Sequence, residues 1–206
     1  MFQEIRIQIE GYLLCQGRFY TARTCLSNQR EFVLTRGINQ FIEDIDEGAW
    51  GVSYLLAMYG KTFKLNKHTK NFFIERFDIL TDNYKIKPLD FSKCCCYLDE
   101  EYYPMFSSRR QTVRALIQKG VDKYQNKSVD EIIDLFELTQ ERLDRPIYCV
   151  GNERFRAMSA IALANMKEVF CFPWLSKKMF RYYENNILPC VEVLKKENKF
   201  IILPHG

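Results

Sequence analysis

The chain has 206 residues, of which 47% are hydrophobic, so it can bury one full core with a small appended subdomain but not two large independent domains. Its 30 basic and 26 acidic residues are spread along the sequence and give a net charge of +4, which lends no special support to nucleic-acid binding. No apolar run reaches about 18 residues and no signal sequence is recognisable at the start, so we expect a cytoplasmic protein that is peripheral to a membrane only through a partner.

The eight cysteines predict buried thiols rather than disulfides or a metal site. Their spacing contains no C-x-x-C pair, and several lie in apolar, strand-like stretches where cysteine acts as a small hydrophobe. The adjacent cysteines at 94–96 would alternate between the faces of a strand, so they cannot all converge with His68 on one ion. We therefore expect no bound metal.

The first forty residues predict a meander of antiparallel strands, because apolar and polar side chains alternate in short stretches such as 5–9 and 31–34. A strand at 38–43 then leads through an acidic, glycine-bearing loop into an apolar helix at 52–59. Another strand is predicted at 62–65. The segment 68–91 has no clear periodicity and is left without an assignment.

From residue 94 onward, strands alternate with helices. Strands are predicted at 94–98, 169–172 and 200–203, and helices at 111–120, 129–138, 152–166 and 177–198. Ser128 is the expected N-cap of the second of these helices, since Glu131 three residues later completes a capping box. Pro189 is expected to kink the last helix. The alternation predicts a parallel sheet with helices on its faces.

The order of these pieces resembles the nucleotide-binding domain of ATP-binding-cassette (ABC) transporters over most of the chain. The strand, loop and helix at 38–60 resemble its phosphate-binding region, and the turn after 96–98 resembles its glutamine loop. Residues 109–117 are similar to the start of its helical subdomain, and 148–163 to its signature loop and helix. The strand at 169–172 stands where the second acidic motif belongs, and 201–205 resembles the switch-histidine strand.

The resemblance implies an α/β fold of the P-loop NTPase type. Its core would be a parallel sheet, joined by an N-terminal antiparallel β subdomain and an inserted helical subdomain at 101–145. All three parts would belong to a single domain that spans 1–206.

The phosphate loop in this sequence is incomplete. In a working loop, glycines let backbone N–H groups converge on phosphate oxygens, a lysine adds a positive charge, and a hydroxyl holds magnesium. Gly48, Gly51 and Ser53 remain here, but the lysine position falls on Val52, or on Trp50 in another register. Four acids at 43–47 would also repel a triphosphate. The resemblance thus implies a vestigial loop, although for this segment alone an ordinary strand-to-helix turn is the preferred explanation.

The carboxylates that hydrolysis needs are also missing. In the family, an aspartate after the strand at 169–172 holds magnesium through water, and a glutamate polarises the attacking water. This sequence has Pro173, Trp174 and Leu175 there. Without a metal held and a water oriented, phosphoryl transfer by the usual route should be absent. We expect no cofactor, and ATP with magnesium only if the site still functions.

Three further sites take their expected roles from the resemblance. Gly151, Asn152 and Glu153 would form the signature loop, which in the family reaches across a dimer to the partner's nucleotide; a plain helix start is the alternative. His205 would be the switch histidine near the γ-phosphate, although a lone histidine is more often structural. Asp99 would occupy the glutamine-loop position.

Together these features imply an ABC-type ATP-binding subunit that is impaired or inactive in binding and hydrolysing ATP. It would form a homodimer, or a heterodimer with another ABC-type subunit, and dock on an integral membrane permease through the region 101–138. Two alternatives stay open: a non-catalytic scaffold or regulatory protein on the same fold, and an active ATPase with relocated residues such as Lys61.

Overall fold

The architecture is that of a computed structural model, which describes residues 2–16, 21–42, 53, 55–57, 72–99 and 111–206. For 11–16, 21–30 and 72–75 it describes the backbone alone. The predicted strand at 62–65 lies outside the described residues. Of the predicted helix at 52–59, Ser53 and 55–57 are described, and they are helical.

The described strands form two four-stranded sheets. In chain order they are β1 (Glu4–Gln16), β2 (Thr21–Thr35), β3 (Gly37–Ile42), β4 (Phe72–Thr81), β5 (Tyr84–Ile86), β6 (Cys95–Tyr97), β7 (Val169–Cys171) and β8 (Phe200–His205). The antiparallel sheet has the order β2-β1-β4-β5, and the parallel sheet has the order β3-β8-β7-β6. The predicted combination of an N-terminal antiparallel sheet with a parallel core sheet is confirmed.

Side-chain alternation gives the parallel sheet two buried faces. Ile201 and Leu203 of β8 point into a core shared with the helices, whereas Phe200 and Ile202 point into a second core shared with the antiparallel sheet. Strands buried on both faces have continuous apolar sequences, as β8 does. The described residues therefore place helices on one face of the parallel sheet and the antiparallel sheet on the other, with the helical residues 55–57 and Phe91 buried in the core between the two sheets.

The helices lie between the strands of the parallel sheet in sequence. They are α1 (Pro88–Cys94), α2 (Val113–Tyr124), α3 (Val129–Leu135), α4 (Gln140–Leu143), α5 (Arg154–Ala164) and α6 (Lys177–Lys196), with short 3-10 helices at Ile147–Cys149 and Gly151–Glu153. The predicted capping box is confirmed, because the Ser128 hydroxyl accepts from the Glu131 N–H and the Glu131 carboxylate accepts from the Ser128 N–H.

The helices α2, α3 and α4 fall within the predicted helical subdomain. Their apolar residues Leu116 and Ile132 belong to the same buried cluster as Phe170 and Ile201 of the parallel sheet. These helices therefore share one core with the sheet, and the boundaries 101 and 145 stay a prediction. No helix in the described part of the chain combines the length and the apolar composition needed to cross a bilayer.

A buried charge cluster joins the layers at the amino end of the parallel sheet. The Glu168 carboxylate lies 2.6 Å from Lys199 Nζ and 3.3 Å from Arg36 Nη1. Arg36 also donates to the carbonyl oxygens of Phe2, at 2.6 Å, and of Asn198. Since Arg36 lies between β2 and β3, this cluster fastens the antiparallel sheet to the parallel one.

Candidate functional site

The carboxyl ends of the parallel strands meet at one edge of the sheet. Ile42 at the end of β3 lies beside His205 of β8, and Cys171 at the end of β7 lies beside Tyr97 of β6 and Ile202 of β8. In open α/β sheets, ligands bind at this edge. The predicted positions Ser53, Asp99 and His205 all belong to it, and we call it the carboxyl edge.

Ser53 is the phosphate-loop position that the structure describes, and its side chain is completely buried. Its hydroxyl donates a hydrogen bond of 2.6 Å to the carbonyl oxygen of Phe172, directly after β7. The Phe172 N–H in turn donates to Ile202 O of β8. The hydroxyl therefore ties the helical residue Ser53 to the end of β7, and it is not exposed to a ligand. Gly48, Gly51 and Val52 lie outside the described residues.

His205 is held by two side chains that sequence reasoning missed. Its Nε2 lies 2.6 Å from Gln40 Nε2 on β3, and its ring stacks on Phe180 of α6 with centroids 4.4 Å apart. With the Gln40 amide nitrogen as the donor, Nδ1 of the imidazole carries the proton and donates to Gly206 O at 3.3 Å. The imidazole is thus oriented by protein contacts on its face and at both of its nitrogens.

The segment after β7 continues the sheet without supplying a carboxylate. Leu175 forms a parallel bridge with His205, and its carbonyl oxygen accepts from the Gly206 N–H at 3.0 Å. Pro173 is buried and Trp174 is half-buried. Where the resemblance expects two acids, the chain therefore presents apolar side chains next to the histidine.

Asp99 is half-buried just beyond β6. The preceding Leu98 donates its N–H to Cys171 O at 2.9 Å, which keeps this turn against the end of β7. Asp99 consequently lies at the same edge of the sheet as Ser53 and His205. The acidic residues that follow it at 100 and 101 lie outside the described residues.

The predicted signature loop forms a separate, exposed turn. Gly151 has a φ of +59° with open space where a side chain would stand, and Asn152 is exposed. Glu153 points back, because its carboxylate accepts from the Thr139 hydroxyl at 3.0 Å and from the Thr139 N–H at 3.3 Å. The partners of Glu153 thus lie at the start of α4, and the turn presents Gly151 and Asn152 to solvent.

Cys95 and Cys96 follow the expected alternation, whereas Cys94 is the last residue of α1 and not part of the predicted strand. Cys95 belongs to the core shared with the antiparallel sheet, whereas Cys96 packs against the core on the other side of the parallel sheet. The side chains of Cys95, Cys171 and Cys190 are buried, as predicted, while that of Cys149 is exposed. Burial raises the pKa of the Cys190 thiol to about 12, so this sulfur is not a nucleophile at neutral pH.

A cleft of about 400 Å³ lies between α3, α5 and the second half of α6. Arg156 in its wall pairs with the Glu137 carboxylate at 3.1 Å. Pro189, also in its wall, is 12 residues from the start of α6, or roughly 18 Å along the helix. The cleft is therefore distinct from the carboxyl edge, where the first turn of α6 lies.

The fold is similar to several solved structures of known class. A protein from Pyrococcus furiosus assigned as an ATP-binding protein of an ABC transporter superposes with a TM-score of 0.55 at 12% identity, over 98% of this chain and 90% of that one. The ATP-binding subunit of another ABC transporter gives a TM-score of 0.54 at 12% identity, over 97% and 79%. A bacterial Atm1-family ABC exporter with ATP bound gives 0.55 at 11% identity, over 100% of this chain and 35% of the exporter.

The chain therefore has the fold of the ATP-binding proteins of ABC transporters, as its sequence resemblance implied. No protein-family model matches the sequence, and no curated protein matches it. At 11–12% identity, the structural likeness establishes the fold alone.

Proposed function

We propose that the protein is an ABC-type ATP-binding subunit whose own nucleotide site is impaired. It binds Mg-ATP weakly or not at all, does not hydrolyse it, and works by pairing with a second subunit of the same fold and docking on a membrane permease. The support comes from the fold, from the chemistry of the carboxyl edge and from the exposed turn at Gly151.

The bond between Ser53 and Phe172 is the observation that carries this proposal. A hydroxyl that binds magnesium must face an open site with its oxygen available. The Ser53 hydroxyl is instead fully buried and donates to a main-chain carbonyl. This geometry favours a structural serine at a position where an active ATPase would hold its metal.

The charges in the sequence point in the same direction. The lysine position holds Val52 or Trp50, four acids occupy 43–47, and no acid follows β7 before α6. A triphosphate at this edge would meet like charge without a compensating cation. Phosphoryl transfer depends on the metal and on a positioned water, and these residues supply neither.

The exposed turn at Gly151 supports the pairing role. Its positive φ and the free space above Gly151 let another chain approach the backbone closely. The hydrogen bonds from Thr139 to the Glu153 carboxylate attach the turn to the start of α4, so its position on the domain is fixed. A partner of the same fold with an intact phosphate loop could then receive this turn.

Nucleotide titration of the purified full chain tests the impaired site. Calorimetry with ATP and a non-hydrolysable analogue, with and without magnesium, should give a dissociation constant weaker than about 1 mM, and phosphate release should equal the blank. Ser53→Ala should leave this result unchanged. Micromolar, magnesium-dependent binding with turnover would overturn the proposal, and loss of that turnover in Lys61→Ala would establish the relocated-residue alternative.

Recovery of the assembly from detergent-solubilised membranes tests the second half of the proposal. We expect a tagged chain to bring down an ABC-type ATPase, or a second copy of itself, together with a protein that has several membrane spans. Recovery of soluble proteins only would favour the scaffold alternative.

A further inference from the structure

One side of α6, from Lys177 to Leu188, is exposed, basic and partly apolar. We call it the basic face, and it consists of Lys177, Lys178, Arg181, Tyr182 and Leu188, all of them exposed. Tyr182 is 64% exposed, and Leu188 is 42% exposed. The opposite side of the helix carries Ile187, Cys190, Val191 and Leu194, which are buried in the core. The helix is thus fixed on the domain with this face free.

The positive charge of the basic face is not balanced within the described part of the chain. No ion pair joins Lys177, Lys178 or Arg181 to any described residue, although many other cations in the described part of the chain form one. No acid lies in the first turn of α6. The partial positive charge of a helix amino terminus favours acidic side chains there. The cations of the basic face are therefore electrostatically unfavourable for the stability of α6.

Such a local conflict with stability is characteristic of a surface selected for binding. Carboxylates of another molecule would relieve the repulsion at the helix terminus, and Arg181 could receive one of them through its planar fork of donors. Tyr182 and Leu188 would lose water at the same time, which adds the apolar contribution that stable protein contacts need.

We propose that the basic face docks an acidic segment of a different protein, one that sets carboxylates against Lys177, Lys178 and Arg181 and an apolar side chain against Tyr182. A second copy of this chain is disfavoured, since a two-fold contact through this face would bring like charges together. A nucleic acid or an anionic membrane fits less well, because Glu184 and Glu192 on the same helix would repel a continuous polyanion. The inference does not depend on the state of the nucleotide site.

Site-specific photo-crosslinking in the host cell tests the proposal. The full chain would carry p-benzoylphenylalanine at position 182, with a matched control at position 84, where Tyr84 is 80% exposed on the antiparallel sheet. We expect one protein to crosslink at 182 and not at 84, through a segment that contains several Asp or Glu residues beside an apolar one. A crosslink to a second copy, to nucleic acid or to lipid, or no crosslink above the control, would overturn the proposal.

A synthetic peptide of the crosslinked segment then tests the charge argument. Arg181→Glu should weaken its binding about tenfold or more, and raising the salt from about 0.05 to about 0.3 M should weaken binding to the wild-type chain. Replacing the facing acid of the peptide with arginine should restore binding to Arg181→Glu. Because position 181 is exposed, the circular dichroism of this variant should match that of the wild type. Equal affinity of both chains for the peptide would contradict the proposal.

Discussion

The hydrogen bond from the Ser53 hydroxyl to the carbonyl oxygen of Phe172 gives this serine a structural role in place of the magnesium binding expected at its position. The two groups are fully buried and lie 2.6 Å apart, although 119 positions separate them in the sequence. A buried carbonyl that loses its donor has no water to replace it. This serine therefore contributes to stability independently of any ligand.

Replacement of Ser53 by alanine should lower the free energy of unfolding by about 1–3 kcal/mol, because Phe172 O would be left without its donor. Urea denaturation of the full chain measures this change. Ser92→Ala is the matched control: Ser92 is equally buried, but its hydroxyl bonds Leu89 O within its own helix, and alanine favours the helix. It should cost less than about 1 kcal/mol. Equal losses in the two variants would refute the special position of Ser53.

For single residues, the sequence could identify which side chains lie at the carboxyl edge but not what those side chains contact. Strand order and the resemblance placed Ser53, Asp99 and His205 there. The contact of His205 with Gln40 joins residues 165 positions apart and depends on β3 and β8 being neighbours. Alternation along β3 puts Gln40 on one face of the sheet, yet nothing in the local sequence specifies the strand beside it.

Among the elements, the close contact between α2 and α5 depends on a glycine. A Cβ on Gly120 would lie 2.8 Å from the carbonyl carbon of Ala164 and 2.9 Å from its Cβ. Backbone atoms cannot move aside as the end of a flexible side chain can. Gly120 thus sets the distance between the two helices, even though glycine is a poor helix former.

Gly120→Ala should destabilise the protein by about 1–3 kcal/mol through this clash, despite a gain of about 1 kcal/mol in helix propensity. Thermal and urea unfolding measure the balance. Lys119→Ala, at the exposed neighbouring position, is the control and should change stability by less than about 0.5 kcal/mol. If the Gly120 variant were as stable as the control, the two helices would not be packed as closely as described.

The elements from residue 94 onward were predictable because each has strong local signals. The capping box at Ser128 and the apolar run of β8 are examples. The segment 68–91 was not assigned, yet it contains β4, β5 and the first four residues of α1. The sequence of this segment does contain local signals for these elements. Asp82 and Asn83 suit the two-residue turn between β4 and β5, where both have positive φ, and Pro88 suits the first position of α1. In the sequence of β4, apolar and polar residues alternate imperfectly, so its pairing with β1 could not be predicted from the local pattern.

For the whole molecule, the cluster of Glu168, Lys199 and Arg36 connects the two sheets more directly than any other described charge pair. The side chains of Lys199 and Arg36 are each 8% exposed, and that of Glu168 is 13% exposed. A buried cation that loses its partner is strongly unfavourable, whereas an exposed pair contributes little. The cluster should therefore make the sheets unfold together.

Glu168→Gln should lower the free energy of unfolding by ~3 kcal/mol, since Lys199 and Arg36 would keep their charges without a carboxylate between them. Unfolding followed by both tryptophan fluorescence and far-ultraviolet dichroism measures the loss and its cooperativity. Glu4→Gln, which breaks an exposed pair with Arg6, should leave the midpoint unchanged. An unchanged midpoint for Glu168→Gln would show that the cluster does not hold the layers together.

The interior position of β8 also has a consequence for how the chain is made. This strand lies between β3 and β7, so residues 200–205 supply the hydrogen-bonding partner for a strand that ended at Ile42. A chain emerging from the ribosome can pair β1 with β2 early, but β3 must wait until almost all of the described sequence has been translated. A ribosome-bound nascent chain that stops before residue 200 therefore exposes an unpaired apolar edge, and it is this intermediate, rather than the finished protein, that chaperones would recognise.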